Sequence, residues 1–361
     1  MISRRTLISS MAALGAAAMG PRVAFGGPDA EGDPLAPLWQ AWKTIHVSSA
    51  GRVIDRLQDN ISHSEGQGYA LVVAEALGDR EGFDLILTWT LDNLAVRGLD
   101  ALLAWRWHPG DGGRVTDTNN ASDGDLFAAW ALVRAADRFD EPRYREIGLA
   151  MAADLVALCL KPCPGRDDCL VLLPGVDGFF AEDGYVINPA YYMLRAMTEL
   201  GVASGQPTLV SCAADGNALL SSLARTQLVP DWVRITPTGF QPAQGKSSAF
   251  GYEAMRAPLY LVWSRLPGHA AVFRARDAYL TAIEPGEDAT PTVIDAATGE
   301  VRETSTDPGY RALAALTACS DGRNTTTLMP AFSAHQAYYP GMLQLLSLLA
   351  QRETNLACYV R

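Results

Sequence analysis

Through most of the chain, apolar residues recur three and four positions apart, the spacing that lays one buried stripe along a helix. This pattern predicts helices over 35–44, 66–78, 81–96, 123–138, 142–160, 189–204, 208–227, 253–266, 270–283, 308–319 and 335–351. Gly/Pro/Asp-rich connectors separate them. Some are short, such as Gly78-Asp79-Arg80-Glu81-Gly82, and others are long, at 98–122, 161–188 and 228–250. Alternation of period two is rare: only Leu170 to Leu173 and Trp232 to Ile235 read as strands, and both sit inside long connectors. Neither a Ser-, Pro- or charge-rich linker nor a fixed repeat is visible, which predicts one all-α domain rather than two, or rather than an open solenoid. Stacked antiparallel hairpins close most economically as a ring, with an inner helix layer inside an outer one. The long connectors would then surround a central cleft at one end and carry function.

The N-terminus departs from this pattern. Ser3-Arg4-Arg5-Thr6-Leu7 followed by an Ala-rich apolar run to Gly20 reads as an export leader over residues 1–27, with paired arginines suggesting the twin-arginine route. The apolar run is too short for a stable membrane span. Residues 28–361 are therefore expected to form one catalytic domain, in the periplasm or outside the cell, without stable membrane insertion. A hydrophobic content of 48% with 19% charged residues suits a large core and excludes a disordered tail protein. The net charge of −11 becomes −14 once the leader's three arginines are gone. Such a surface repels phosphate backbones, so nucleic acid is an unsuitable partner. Of six cysteines, Cys163 and Cys169 flank a turn that a disulfide would close in an oxidising compartment. No second close pair or nearby histidine supports a zinc site.

Several chemistries fail on inspection. No Gly-x-Ser-x-Gly elbow occurs, and Gly66-Gln67-Gly68 lacks the third glycine and the preceding strand of a dinucleotide site. The segment Gly239 to Ser247 has five residues between its glycines where a phosphate loop has four, and a proline among them. His46, His63, His108, His269 and His335 are not at metal-ligand spacing, so neither metal nor cofactor is called for. What remains is acids at three predicted helix starts: Glu65, Asp123 with Asp125, and Glu253 with Arg256. Taken singly, each is explained as a cap, a dipole partner or an ion pair between i and i+3. If alternate helices of a ring run the same way, these starts meet at one end. Rings lie near the same segments, among them Trp89, Trp105, Trp107, Tyr191, Trp232, Tyr252, Tyr338 and Tyr339. Flat apolar rings edged by carboxylates suit a neutral polysaccharide, whose sugars stack on aromatic faces while their hydroxyls seek charged acceptors.

From about Trp39 to the final helix the chain resembles glycoside hydrolase family 8, and within it the endoglucanases encoded with bacterial cellulose synthases. The resemblance is carried by Gly51-Arg52-Val53-Ile54-Asp55, Ser64-Glu65-Gly66-Gln67-Gly68-Tyr69, Ala104-Trp105-Arg106-Trp107, Ala121-Ser122-Asp123-Gly124-Asp125, Ile187-Asn188-Pro189-Ala190-Tyr191, Asp231-Trp232-Val233-Arg234 and the segment from Tyr252 to Arg256. It implies an (α/α)6 toroid with small β elements in the long loops, and endo-acting hydrolysis of β-1,4-glucan with inversion. Inversion needs a protonated acid at the leaving oxygen and a carboxylate that activates water across the sugar. The resemblance gives Glu65 as the acid and Asp123 as the residue holding the sugar at the cleavage subsite. It lines that subsite with Arg256 and Tyr191, with Tyr338 or Tyr339 orienting the water, and offers Trp105 and Tyr252 as further substrate contacts.

One position departs from the family's pattern. Where the base is usually Asp, in a Tyr-Asp-Ala-x-x-Arg context, this chain has Tyr252-Glu253-Ala254-Met255-Arg256. Glutamate offers the same acceptor on a stem one methylene longer, and a misplacement of about an ångström can cost about a hundredfold in rate. The expectation is Glu253 as base, with a slow or inactive glucan-binding protein as the alternative. Xylan, chitosan or mixed-linkage glucan are alternative substrates. A terpenoid-processing helical toroid would need an aspartate-rich metal motif, which is not evident. The expected partners are β-1,4-glucan chains and a cellulose synthase complex.

Overall fold

The computed structural model describes residues 32–284, 286–320, 328–356 and 358–360; the expected leader at 1–27 lies outside them. Eleven α-helices occur among the described residues: α1 Ala36–His46, α2 Ser64–Ala76, α3 Arg80–Leu94, α4 Ser122–Arg138, α5 Pro142–Asp154, α6 Leu194–Ser204, α7 Pro207–Leu223, α8 Arg256–Trp263, α9 Ala270–Ala282, α10 Pro308–Cys319 and α11 Tyr338–Thr354. Local chemistry sets several ends. Proline occupies the first turn of α1, α5, α7 and α10, where its missing N–H costs no helix bond. The Asp79 carboxylate caps α3 by accepting from Gly82 N at 2.9 Å.

The helices form the two-layered (α/α)6 ring. Helix α2 packs on α4, α4 on α6, α6 on α8, α8 on α10 and α11, and α11 closes back onto α2. Helices α1, α3, α5, α7 and α9 cover this inner set from outside. Burial follows the layers: α2, α4, α8 and α10 are buried on nearly every face, whereas α1, α5 and α9 bury one stripe each. Trp39, Trp42, Trp130 and Trp263 are among the largest fully buried side chains.

The connectors hold more strand than periodicity revealed. Ser62–His63, Arg106–His108 and Arg114–Asp117 make a three-stranded sheet, and Phe180–Ala181, Gly184–Ile187, Val233–Thr236 and Gly239–Pro242 a four-stranded one. Strands of two to four residues are too short to print an alternation. A strand therefore does precede Gly66-Gln67-Gly68, contrary to the sequence reading, but it lasts two residues and the glycines serve packing. A Cβ on Gly68 would lie 2.9 Å from Gly124 O, and one on Gly124 would lie 2.7 Å from Glu65 N. The first turns of α2 and α4 thus cross at backbone contact.

Several helix boundaries also differ, among them that of the predicted 189–204 helix, which opens as a 3-10 turn over Pro189–Tyr191 and becomes α-helical at Leu194. The predicted 253–266 helix starts at Arg256, because the Asp231 carboxylate holds the preceding turn by accepting from Gly251 N, Glu253 N and Ala254 N at 2.8–3.1 Å. The predicted 142–160 helix loosens into a π turn over Leu155–Cys159 and enters the strand Leu160–Cys163. Cys163 pairs with Cys169, and Cys319 with Cys358, the latter a bridge between positions too far apart in the chain to leave a local cue. Cys159 and Cys212 are buried free thiols.

Candidate active site

The N-termini of α2, α4, α8 and α11 converge at one end of the ring, and Arg256, the first residue of α8, sits at their meeting point with 1% of its side chain exposed. Its Nη1 donates to Glu65 Oε2, to Tyr69 Oη at 2.8 Å and to Asp123 Oδ2 at 3.2 Å, and its Nη2 donates to Glu253 Oε2. Three carboxylates from three parts of the chain therefore share one guanidinium. Burial alone would loosen the Arg256 proton, but the surrounding Tyr69, Tyr339, Glu253 and Glu65 reverse this and hold the cation.

Each carboxylate is placed differently. Asp123 is buried and accepts from Gly124 N at 2.8 Å; the helix N-cap is Ala121, so Asp123 is not the plain cap that its position suggested. Burial and the Glu65 charge outweigh Arg256 and push its pKa up to about 8. Glu253 lies in the turn before α8, where Asn188 Nδ2 donates to its Oε2 at 2.9 Å. Burial raises its pKa, with Arg256 pulling the other way. Glu253 Oε1 accepts no hydrogen bond among the described residues, so one oxygen stays available. The i to i+3 pair of Glu253 and Arg256 is real, but it is one arm of the three-carboxylate cluster.

These groups open onto a cavity of about 330 Å³ lined by Asp55, Leu57, Gln58, His63, Glu65, Tyr252, Glu253, Arg256, Tyr310, Tyr338, Tyr339 and Pro340. Six of the nine expected site residues line it. Asp123 lies beneath Arg256, and Tyr191 packs its ring 5.7 Å from the guanidinium. Trp105 adjoins α2 through its backbone, its carbonyl accepting from Ser64 N at 3.0 Å. Its ring carries Arg106 at 4.4 Å and its Nε1 donates to Asp117 at 2.8 Å. Tyr339 Oη donates to the Tyr252 carbonyl, tying α11 to the Glu253 turn. Tyr252 Oη donates to Glu303 at 3.0 Å.

Sequence reasoning assigned no role to Asp55, His63, Tyr69, Asn188, Asp231 and Tyr310, though four of these lie in the segments that carried the resemblance. Their roles depend on contacts across the fold, such as Asn188 to Glu253 and Tyr69 to Arg256, that spacing does not encode. Among the described residues no group of three or more His, Cys, Asp or Glu side chains is arranged to hold a metal ion, and no helix is long and apolar enough to cross a membrane.

The family model for Glycosyl hydrolases family 8 matches residues 12–353. A probable endoglucanase of Novacetimonas hansenii is 32% identical over 358 residues, covering 97% of this chain and all of that protein. An endoglucanase of Cellulomonas uda is 32% identical over 77% of this chain and 76% of its own. Among solved structures, the endo-beta-1,4-glucanase CMCax from Acetobacter xylinum superposes with a TM-score of 0.80 at 30% identity, covering 90% of this chain and 99% of that one. Endoglucanase Cel10 from Klebsiella pneumoniae gives 0.78 at 31% identity over 88% and 99%.

Proposed function

The chain belongs to glycosyl hydrolase family 8, and from that premise we propose how its own residues carry out endo-acting, inverting hydrolysis of β-1,4-glucan. Glu65 is the general acid: protonated, it delivers its proton to the glycosidic oxygen as the bond to the anomeric carbon breaks. Glu253 is the base, taking a proton from the water that attacks the opposite face. Asp123, beneath Arg256, and Tyr191, against its guanidinium, back the subsite that holds the sugar at the cleavage point. Arg256 balances the charge that passes between the carboxylates, and Tyr338 and Tyr339 shape the water's side. Trp105 and Tyr252 extend the cleft for neighbouring sugars. The observation that carries this reading is the gathering of Glu65, Asp123 and Glu253 around one buried guanidinium at the wall of the cavity. A carboxylate with a raised proton affinity is also a stronger base than a free one.

The leader-like residues 1–27 support placement in the periplasm or outside the cell, where the enzyme trims glucan chains that a cellulose synthase complex extrudes. The decisive experiment follows product anomers by NMR during cleavage of cello-oligosaccharides. The initial product is the α-anomer for the native chain, and Glu65→Gln lowers kcat by about 10²–10⁴-fold while binding persists. A β-anomer, or full turnover in Glu65→Gln, overturns the assignment.

A further inference from the structure

The reaction as derived uses no histidine, yet the His63 ring stands directly behind Glu65. Its Nδ1 accepts the Gly66 N–H at 3.1 Å and so caps α2, the helix that carries the acid. An Nδ1 engaged as acceptor places the neutral ring's proton on Nε2, which faces Asp55 Oδ2 at 3.8 Å. The same Nδ1 lies 4.0 Å from Glu65 Oε1. Asp55 is itself fixed, accepting from Leu57 N at 3.0 Å and from Gln58 Nε2 at 2.9 Å. Tyr338 of α11 meets the ring edge-on at 5.4 Å, Asp123 of α4 faces it from a third side and adds a charge only where it is ionised, and Arg256 lies beyond Glu65.

These contacts pull the ring in opposite directions. Burial and the cap favour the neutral form, because a proton on Nδ1 would face the Gly66 N–H. Asp55 and Glu65 lead the charges that favour the imidazolium, and together these outweigh burial so that the pKa is raised. The ring is 12% exposed and lines the cavity, so solvent protons reach it.

We propose that His63 is a positioning residue for Glu65 and that its charge state switches the acid on and off. This rests on the reading of Glu65 as the general acid. Neutral His63 holds the first turn of α2 through its one Nδ1 lone pair and places no charge beside Glu65, an arrangement compatible with a protonated carboxyl. One solvent proton added to Nδ1 breaks the Gly66 bond, so the turn that carries the acid loses its cap, and it sets a cation 4.0 Å from Glu65 Oε1 that lowers the affinity of Glu65 for its own proton. Activity is therefore lost as pH falls through the His63 titration, and Asp55 sets where that loss occurs.

His63→Asn retains an N-capping oxygen but cannot titrate. In kcat/KM profiles on cello-oligosaccharides, its acidic limb moves to lower pH by at least about one unit, whatever the plateau height. Asp55→Asn moves the native limb in the same direction and adds no shift in the His63→Asn background. A limb that stays put in His63→Asn, or an Asp55→Asn shift that persists without His63, overturns the proposal. NMR of the His63 ring nitrogens supplies an arm that needs no turnover. Coupling is reciprocal, so Glu65→Gln must lower the His63 pKa. An unmoved His63 titration, or a neutral ring protonated on Nδ1, refutes the switch. Failure of the family reading shows separately, as absence of new reducing ends from the native chain at every pH.

Discussion

At the scale of single residues, the longer stem of Glu253 is accommodated by folding its carboxylate back onto Arg256 and Asn188, which together occupy Oε2. A shorter Asp withdraws from both donors and frees the carboxylate towards the cleft. Glu253→Asp is therefore expected to keep or raise kcat, and Glu253→Ala to lower it by about 10²–10⁴-fold in the same reducing-end assay. Full activity in the alanine variant removes Glu253 from the mechanism. Asp123 supports a pH prediction. Its folded pKa of about 8 lies above the ordinary carboxyl value of 3.8, so between those values the native state binds the extra proton. Its contribution to stability is intact below about pH 4 and is lost as pH rises towards 8, a change on the order of a few kcal/mol. Melting temperatures recorded from pH 4 to 8 should fall more steeply for the native chain than for Asp123→Asn. Equal slopes would show that the proton is held elsewhere.

At the scale of elements, two devices set the geometry of the site. The glycine contact between α2 and α4 fixes Glu65 beside Asp123, and the Asp231 cap fixes the Glu253 turn in front of α8. Removal of the Asp231 carboxylate leaves three N–H groups without their acceptor, each worth about 1–3 kcal/mol if it stays buried. Asp231→Ala should thus lower the melting temperature, and it should cut kcat at least about tenfold with a smaller change in KM, because the base loses its register. A change in KM alone would assign Asp231 to sugar binding. The same devices explain what the sequence made legible. Helix existence could be read throughout because apolar stripes run for several turns, and the acids at the starts of α2 and α4 were visible as a pattern. The turn before α8 was misread as helix because Glu253 and Arg256 have helical spacing, and the competing cap comes from Asp231, more than twenty residues away. Short strands and the Cys319–Cys358 bridge were hidden for the same reason: their partners are distant in the chain.

At the scale of the whole molecule, the inner helices α2, α4, α8 and α11 point their N-termini at the carboxylates, so their dipoles favour anionic charge at the catalytic end. The opposite ends gather a second buried charge cluster that periodicity alone did not reveal. Arg134 Nε donates to Glu75 Oε2 at 2.7 Å, and its Nη2 donates to Glu353 Oε1 at 3.2 Å. Arg195 joins Glu199 and Glu353, while Trp130 and Trp263 donate to Glu199 and Glu353, each at 2.8 Å. Helices α2, α4, α6, α8 and α11 are thereby cross-linked through charge at the end remote from the cleft. Glu75 is 1% exposed, and burial raises its pKa despite Arg134, the larger of two opposing cations of which Arg138 is the other. Arg134→Met removes the larger and leaves a buried acid without its main counter-charge, a loss of about 3–5 kcal/mol. Adding Glu75→Gln should restore part of it, since the stranded charge is then gone. Urea unfolding of the single and double variants measures both effects. KM should remain near that of the native chain, because no member of the cluster lines the cavity. Equal stability of the two variants would mean that Glu75 takes up a proton once Arg134 is lost, and that the helices are held by packing rather than by charge.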